Sequence, residues 1–420
     1  MSFETLIQKA YSAPGYSKYE GYYNGTRRLD KLGVSLPPQM RVLEIGVNWP
    51  RLSVEVMDEA LNVEGFRTAD SALADKLRTW WQANNLDTRS HLAHTEALIH
   101  GHSFVVVGRN TDPAAPPVIT VHSSQGTGIT YGPLGEVTEA VQVTGSEGET
   151  QTAAHYQPWK IDYYTKEPNH AWKLTGTEYT GIAQVPVVPL VNRPRIDKPL
   201  GESEMTDIIQ LADAAARSLT NLQVAQENLA LPQRVIIGMA ADELKDSEQK
   251  PISKLKAYIS SLWVLPEDTK VDQFAGADLS QIINSVKLYA QMVGSAAGIP
   301  PSFLGIQTDN PASAEAMRVA KERLISKAER RQSSFGDSWE LVMRIALALA
   351  GEPLSPGDML ETLWRDPATP SRSAKTASAL QAHAQGLITA HTARELMDLT
   401  PEQRAYEDSN DDSVRNMLGG

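Results

Sequence analysis

The sequence predicts a mixed α+β protein built from more than one domain. Three observations support this class: apolar side chains recur at helical spacing in the first 100 residues, six short β-type runs follow within about 90 residues, and long helical segments lie beyond residue 200. With 420 residues and 41% hydrophobic side chains, the chain can bury a large core.

The N-terminal 100 residues are predicted to be helices joined by loops. Residues 71–84 place Leu77, Trp80 and Trp81 at helical spacing, and residues 88–100 continue in the same way after a polar break. This pattern indicates a pair of amphipathic helices.

The period changes at Ser103, where β-branched and aromatic residues begin to alternate with turn residues. The runs are SFVVVG, PVITV, GEVTEAVQV, AHYQPWKIDYYT, HAWKLTGTEY and IAQVPVVPLV. Because Gly, Pro, Asp and Asn separate them at short intervals, they predict an antiparallel sheet or a small barrel.

Three long helices are predicted after this β region. The first runs from Ser203, a suitable N-cap, to about Leu229, and the second runs from 279 to Gly298. A small α/β insert at 231–277 lies between them. The third helix extends from Ser313 to Leu349, where Gly336 could bend it. The tail is predicted to hold two or three short helices, for example 374–384 and 392–396.

No signature of catalysis is complete in this sequence. Cysteine is absent, which excludes thiol chemistry and thiolate-bound metals, and no phosphate-binding G-x-x-x-x-G-K-[ST] motif occurs. Four of the nine histidines, His91, His94, His100 and His102, lie close together. Imidazole binds transition metals, so these residues define a candidate metal site, but half-buried structural histidines at a helix end explain them as well.

The third long helix carries charges of opposite sign on separate flanks. Glu315, Glu322 and Glu329 recur every seven residues and form an acidic stripe. A basic stripe on another flank contains Arg323, Lys327, Arg330 and Arg331. Such a helix is either a solvated surface helix or one that lies beside copies of itself in a cyclic ring, acidic flank against basic flank.

The order of helices and breaks resembles that of tailed-bacteriophage portal proteins, especially those of siphophages infecting actinobacteria. The resemblance runs from about Tyr22 to about Gln403. Its most specific segments are RPRIDKPLGESEMTDIIQLADAAARSLTNLQVAQENLALPQRVIIG, WVLPEDTKVDQF and GSAAGIPPSFLGIQTDNPASAEAMRVAKERLISKAERRQSSFGDSWELVMRIAL, and the tail LWRDPATPSRSAKTASALQAHAQGLITAHTARELMDLTPEQ is similar too.

The resemblance implies a ring, usually of twelve subunits, and a division of the chain into the parts of a portal subunit. These parts are an N-terminal wing (1–200), a first stem helix (201–230), a clip (231–277), a second stem helix (278–299), a tunnel loop (300–313), a long wing helix (314–350) and a C-terminal wing or crown region (351–420). The loop residues implied to line the channel are Gly305, Gln307, Thr308, Asp309 and Asn310. The residues expected at the subunit interface are Glu315, Glu322, Glu329, Arg323, Lys327 and Arg330.

The implied function is structural, with no cofactor and no catalytic residue. Double-stranded DNA would pass through a ring at one capsid vertex of the virion. That ring, assembled in the host cytoplasm, would meet the terminase large subunit, a head–tail adaptor, the major capsid protein and a scaffolding protein. The net charge of −12 per chain, roughly −144 for twelve copies, would keep DNA from adhering.

Two other functions remain open at this point: another capsid or head–tail interaction protein, and a metal-dependent intracellular enzyme that uses the histidines from His91 to His102. No stretch of the chain predicts a membrane span.

Overall fold

A computed structural model describes residues 3–12, 15–29, 42–112, 114–146, 148–230, 279–305, 314–368 and 372–397, with a few positions near the C-terminus. The helices are α1 (Phe3–Tyr11), α2 (Tyr16–Tyr23), α3 (Trp49–Asp58), α4 (Ser71–Ala83), α5 (Leu86–His100), α6 (Ile209–Ala230), α7 (Ser280–Ala297), α8 (Ala314–Leu349), α9 (Arg372–Ala384) and α10 (Ala390–Leu396). The strands are β1 (Val63–Thr68), β2 (His102–Gly108), β3 (Val118–His122), β4 (Thr127–Tyr131), β5 (Val137–Thr144), β6 (Gln151–Gln157), β7 (Lys160–Lys166), β8 (Lys173–Tyr179), β9 (Val187–Val191) and β10 (Leu360–Trp364). The α+β prediction is confirmed.

The helical pair near the N-terminus forms where the sequence predicts it. The side chain of Asp70 accepts a hydrogen bond from the Ala72 amide and so caps α4. Asn85, with a φ of 54°, turns the chain into α5, which ends at Gly101 with a φ of 94°. Both break residues adopt the left-handed conformation that a sharp change of direction requires.

The β region folds into two open antiparallel sheets. One has the strand order β3-β2-β9, and the other is a five-stranded meander in the order β4-β5-β6-β7-β8. The run AHYQPWKIDYYT supplies two strands because the chain turns at Trp159, whose φ is 73°. Strand β4 was not predicted, since TGITY is short and contains glycine.

A third sheet corrects the expectation that the first 100 residues are helical. Strand β1 pairs antiparallel with β10, and the salt bridge between Arg67 and Glu361 joins residues 294 positions apart. Each strand is short, and its partner lies almost at the other end of the chain. Neither therefore shows a local hairpin signal that sequence analysis could detect.

The long helices match their predicted positions closely. Helix α6 begins after a series of turns rather than at Ser203, whose hydroxyl still accepts a hydrogen bond from the Met205 amide. Helix α7 ends at Gly298, with a φ of 76°, and α8 continues through Gly336, which lies against Trp364. The predicted insert at 231–277 lies outside the described residues.

The main core forms where the C-terminal half of α8 meets the N-terminal helices. Trp339 is fully buried and packs edge-on against Trp81 with ring centroids 5.0 Å apart, and Phe335 lies beside them. A smaller core lies between α1 and the meander, where Leu6 contacts Val141. Because burial of large aromatic side chains is strongly favourable, this half of α8 contributes much of the stability of the main core.

Residues 1–365 and 366–420 form two compact units. In the second unit α9 and α10 correspond to the short helices predicted in the tail. None of the described helices is both long enough and apolar enough to span a lipid bilayer.

Candidate functional site

His91 and His94 are held by different neighbours, although both lie on α5. The Nδ1 atom of His91 lies 3.2 Å from an Asp58 carboxylate oxygen, and this hydrogen bond raises the pKa of His91. His94 is fully buried, and its Nε2 accepts a hydrogen bond of 2.9 Å from the Trp339 indole. Its ring also stacks on Phe335. Burial and the nearby His91 lower the pKa of His94 to about 3, so its imidazole is neutral at pH 7.

His100 lies at the end of α5 between two carboxylates. Its Nε2 is 3.1 Å from Glu20 and 3.7 Å from Glu96, and its ring stacks on Tyr16 at a centroid distance of 4.2 Å. These contacts attach α2 to α5. His100 therefore has a structural role in joining these two helices.

His102, the fourth histidine, begins β2 and donates a hydrogen bond of 3.1 Å from Nδ1 to the Leu200 carbonyl. Burial lowers the pKa of His102 to about 4. It contributes to neither of the groups that could bind a metal ion among the described residues. These two groups, each with ligand atoms within 4.8 Å of one another, are Asp58, His91 and His94, and Glu20, Glu96 and His100.

The hydrogen bonds of the imidazoles disfavour a metal at either group. Because Nε2 of His94 accepts from Trp339, its Nδ1 carries the proton, and neither nitrogen has a free lone pair. Nε2 of His100 already lies 3.1 Å from Oε1 of Glu20, so a metal on this nitrogen would replace the hydrogen bond that joins α2 to α5. The four histidines are better explained as hydrogen-bonded parts of the fold.

A cavity of about 890 Å³ lies between the β4–β5 hairpin and α8. Its lining is mostly aliphatic and includes Val185, Leu341 and Ile345. The hydroxyl of Ser338, which also lines it, donates to the Pro189 carbonyl at 2.9 Å. None of the described lining residues is a histidine or lysine that could act as a base for this serine.

The predicted charged flanks of α8 are present on its N-terminal half. Glu322, Arg323, Glu329 and Arg330 are exposed, and none of them forms a salt bridge with another described residue. Glu315 belongs to the same helix, but its side chain is not among those that the structure describes. These four side chains therefore present charges of both signs that no described residue pairs in a salt bridge.

Lys327 differs from the other predicted interface residues because its ammonium group binds within the chain. It donates hydrogen bonds of 2.9 and 2.8 Å to the carbonyls of Ala296 and Ala297, the last residues of α7. These carbonyls have no partner inside their own helix and lie at the negative end of its dipole. Lys327 therefore caps the end of α7. Whether it also lies at a subunit interface stays a prediction.

A buried charge network connects Lys327 to the segment that precedes α6. Arg331 donates a hydrogen bond of 2.7 Å from Nη2 to Oε2 of Glu204 and another of 3.1 Å from Nε to Asn192. The Nζ atom of Lys327 lies 3.8 Å from Oε1 of Glu204. Burial would raise the pKa of Glu204, but the charges of Arg331 and Lys327 outweigh it and lower that pKa. Glu204 is therefore ionised inside the protein.

Sequence analysis placed Arg331 with the basic flank and missed its buried partner. A signal was available, because Arg331 lies three residues after Ala328 and four before Phe335, both of which are buried. A basic residue at this spacing lies on the apolar face of its helix and requires an acidic partner. The identity of that partner, Glu204, could not be read from the sequence.

The predicted tunnel loop is described only at its beginning. A short 3-10 helix spans Pro301–Leu304, and Gly305 follows with a φ of 75°, exposed to solvent. Gln307, Thr308, Asp309 and Asn310 lie outside the described residues. Their role in a channel remains a prediction.

Comparison with known proteins identifies the class. The family described as "Phage portal protein, SPP1 Gp6-like" matches residues 8–409, almost the whole chain. The chain therefore belongs to this family of phage structural proteins.

Two individual relatives support the same assignment. The chain is 36% identical over 400 residues to the "Portal protein" of Mycobacterium phage D29, a match that covers 91% of this chain and 82% of the relative. The "Portal protein" of Mycobacterium phage L5 matches to the same extent. The protein is thus a portal protein of a tailed phage, and the resemblance seen in the sequence is confirmed.

Solved structures that are similar to this chain come from gene transfer agent particles. A chain of "Neck of native GTA particle computed with C12 symmetry" is 17% identical, with a TM-score of 0.43, over 87% of this chain and 93% of its own length. A chain of "Virion of native gene transfer agent (GTA) particle" has the same identity and TM-score and covers 92% of this chain.

Proposed function

We propose that this chain forms a closed ring around a channel for double-stranded DNA at one capsid vertex. The family resemblance implies that the ring has twelve copies. The observation that carries the proposal is the family match over residues 8–409. The ring catalyses no reaction. It positions the DNA and lets it pass through the channel, while a separate terminase provides the energy for packaging.

The exposed charges of α8 support lateral contacts between copies. In a cyclic ring each copy uses two different faces, one toward each neighbour. Glu322 and Glu329 on one copy would face Arg323 and Arg330 on the next, which would neutralise charges that form no salt bridge among the described residues of one copy. Glu315 extends the acidic stripe by sequence spacing. Lys327 is already engaged inside the protomer and contributes less to this contact.

The remaining assignments follow the family pattern. Residues 300–313 would line the channel, with Gly305, Gln307, Thr308, Asp309 and Asn310 nearest to DNA, and residues 231–277 would form the clip. The clip would contact the terminase large subunit during packaging and the head–tail adaptor afterwards. The wing would contact capsid and scaffolding proteins during assembly in the host cytoplasm. The net charge of −12 favours passage of DNA without adhesion.

The mass of the native assembly tests the ring directly. Native mass spectrometry and negative-stain images of the purified protein should show closed rings with a central hole. A protein that stays monomeric both alone and when expressed with its capsid and scaffolding partners would contradict the proposal.

Charge reversal tests the proposed interface. The double variant E322K/E329K should reduce ring formation, because basic residues would then face Arg323 and Arg330 of the neighbouring copy. Adding R323E and R330E to the same chain should restore rings, because the acidic and basic stripes of α8 then exchange places and opposite charges face each other again. The variant E149K/E167K, which changes the net charge equally at exposed loop positions, is the control. Equal ring yields for all four proteins would refute this interface.

A further inference from the structure

The cavity between the β4–β5 hairpin and α8 is bordered by large aliphatic side chains that are exposed to solvent. Leu134, at the tip of the hairpin, is 92% exposed, and Ile196, in the turn after β9, is fully exposed. Leu341 of α8, which lines the cavity, is exposed as well. Tips of tight turns usually carry polar residues or glycine. Exposed aliphatic side chains grouped around an apolar cavity therefore indicate a contact surface.

Hydrogen bonds hold the tips of both turns in place. In the hairpin, the Leu134 amide donates a hydrogen bond of 3.0 Å to the Glu136 carboxylate. In the second turn, the Arg195 amide donates to the Lys198 carbonyl at 3.2 Å, and the Lys198 amide donates to the Arg195 carbonyl at 3.0 Å. Because these bonds fix the backbone, Leu134 and Ile196 lose little further freedom when a partner covers them.

The cavity lies on the same side of α8 as the exposed part of the basic stripe. At 100° per residue, four residues fall within about 40° of one another around this helix: Arg323, Arg330, Asp337 and Leu341. The last two of them line the cavity. The distance along the axis from Arg323 to Leu341 is about 27 Å at 1.5 Å per residue. A stable interface buries about 800 Å² on each partner, which is a patch roughly 30 Å across. A neighbour that contacts the basic stripe therefore also reaches the cavity.

We propose that the copy facing the basic stripe of α8 also fills this cavity with an apolar side chain and covers Leu134 and Ile196. This contact rests on the ring proposed above, and it gives the charged lateral interface an apolar core. A second copy is the occupant because the stripe and the cavity are continuous along one helix, whereas a capsid or scaffolding protein would have to enter the cavity beside a stripe that the neighbour already covers. Each copy in a ring uses two different faces, so the inserted side chain comes from a face other than the one with the cavity.

Photo-crosslinking of the full-length protein tests which molecule occupies the cavity. The chain contains no cysteine, so a single introduced cysteine is the only thiol that a maleimide can label. In L341C labelled with benzophenone maleimide, irradiation of purified rings should join copies into a ladder of dimers and larger multimers on a denaturing gel. E149C, at an exposed loop position, is the control and should give mainly single chains. Labelled L341C rings that yield no ladder, or that crosslink to a co-expressed capsid or scaffolding protein and not to a second copy, would overturn the proposal.

Removal of the aliphatic tips provides a second measurement. Rings of L134S/I196S should dissociate at protein concentrations at least about tenfold higher than wild-type rings, because each contact loses two buried aliphatic side chains. The matched control is L92S/L174S, which changes two exposed leucines that do not line the cavity. The thermal midpoint of the dissociated chain should not change in either variant, since these side chains are exposed there. Equal dissociation of L134S/I196S and its control would overturn the proposal. The mass of the wild-type assembly tests the ring itself, so failure of this contact and failure of the ring are separable.

Discussion

Removal of Arg331 should destabilise the fold far more than removal of its exposed neighbour Arg330. The side chains of Arg331 and Glu204 are only 10% and 4% exposed, and they form one short charge-assisted hydrogen bond. In R331M the Glu204 carboxylate stays buried, with Lys327 still 3.8 Å away. Breaking a buried pair by removing one partner costs about 3–5 kcal/mol, and we expect a loss of that size in the free energy of unfolding.

Urea unfolding followed by tryptophan fluorescence provides the assay, because Trp81 and Trp339 lie in the main core. A thermodynamic cycle through E204L, R331M and E204L/R331M should give a coupling of about 2–3 kcal/mol, since the double variant buries no unpaired charge at either position. R330M should leave the unfolding midpoint unchanged. A loss below about 1 kcal/mol in R331M, or additive single effects, would refute the buried-pair reasoning.

Two further perturbations have defined outcomes. In the folded protein the pKa of His94 is about 3, below its ordinary value of 6.5. As the pH drops from about 6.5 toward 3, the unfolded chain therefore binds a proton at His94 that the folded chain does not, and the free energy of unfolding falls. The variant H94Q keeps an acceptor for Trp339 but cannot bind this proton, so the slope of the free energy of unfolding against pH should fall by about 1.4 kcal/mol per pH unit. Urea unfolding at several pH values measures this slope, and an unchanged slope would contradict the reasoning. G201A should lower the thermal midpoint strongly, because Gly201 has a φ of 69° and its added Cβ would overlap the Asn192 carbonyl. Gly135 has a φ of 84°, but a Cβ there would meet open space, so G135A should lower the free energy of unfolding by only about 1 kcal/mol. Equal destabilisation by G201A and G135A would refute the steric argument.

Local patterns were sufficient for the parts of the fold that depend on nearby residues. The α4–α5 pair and the ends of α7 and α8 follow from helical spacing together with caps and glycine stops. Runs such as SFVVVG in β2 identified strands by their β-branched content. The sheet formed by β1 and β10 escaped prediction because its strands are short and lie far apart in sequence.

The same limit applies to the functional surfaces. Helical periodicity placed Glu322 and Arg323 on exposed flanks, because solvent exposure follows from the position of the apolar face. It also carried a signal that Arg331 lies on the apolar face, near Ala328 and Phe335, but it could not single out Lys327 or identify the acidic partner of either residue. Their burial depends on Glu204, which reaches them only after β9 and the following turns have packed against α8.

The pairing of β1 with β10 has a consequence for biogenesis. A nascent chain emerging from the ribosome leaves β1 as an unpaired edge until the residues of β10 have been made, so the subunit cannot mature during most of its own synthesis. Closing such a distant contact is also slow. A chain that ends before residue 360 would therefore keep β1 as an unpaired strand edge, which favours pairing with other chains and aggregation.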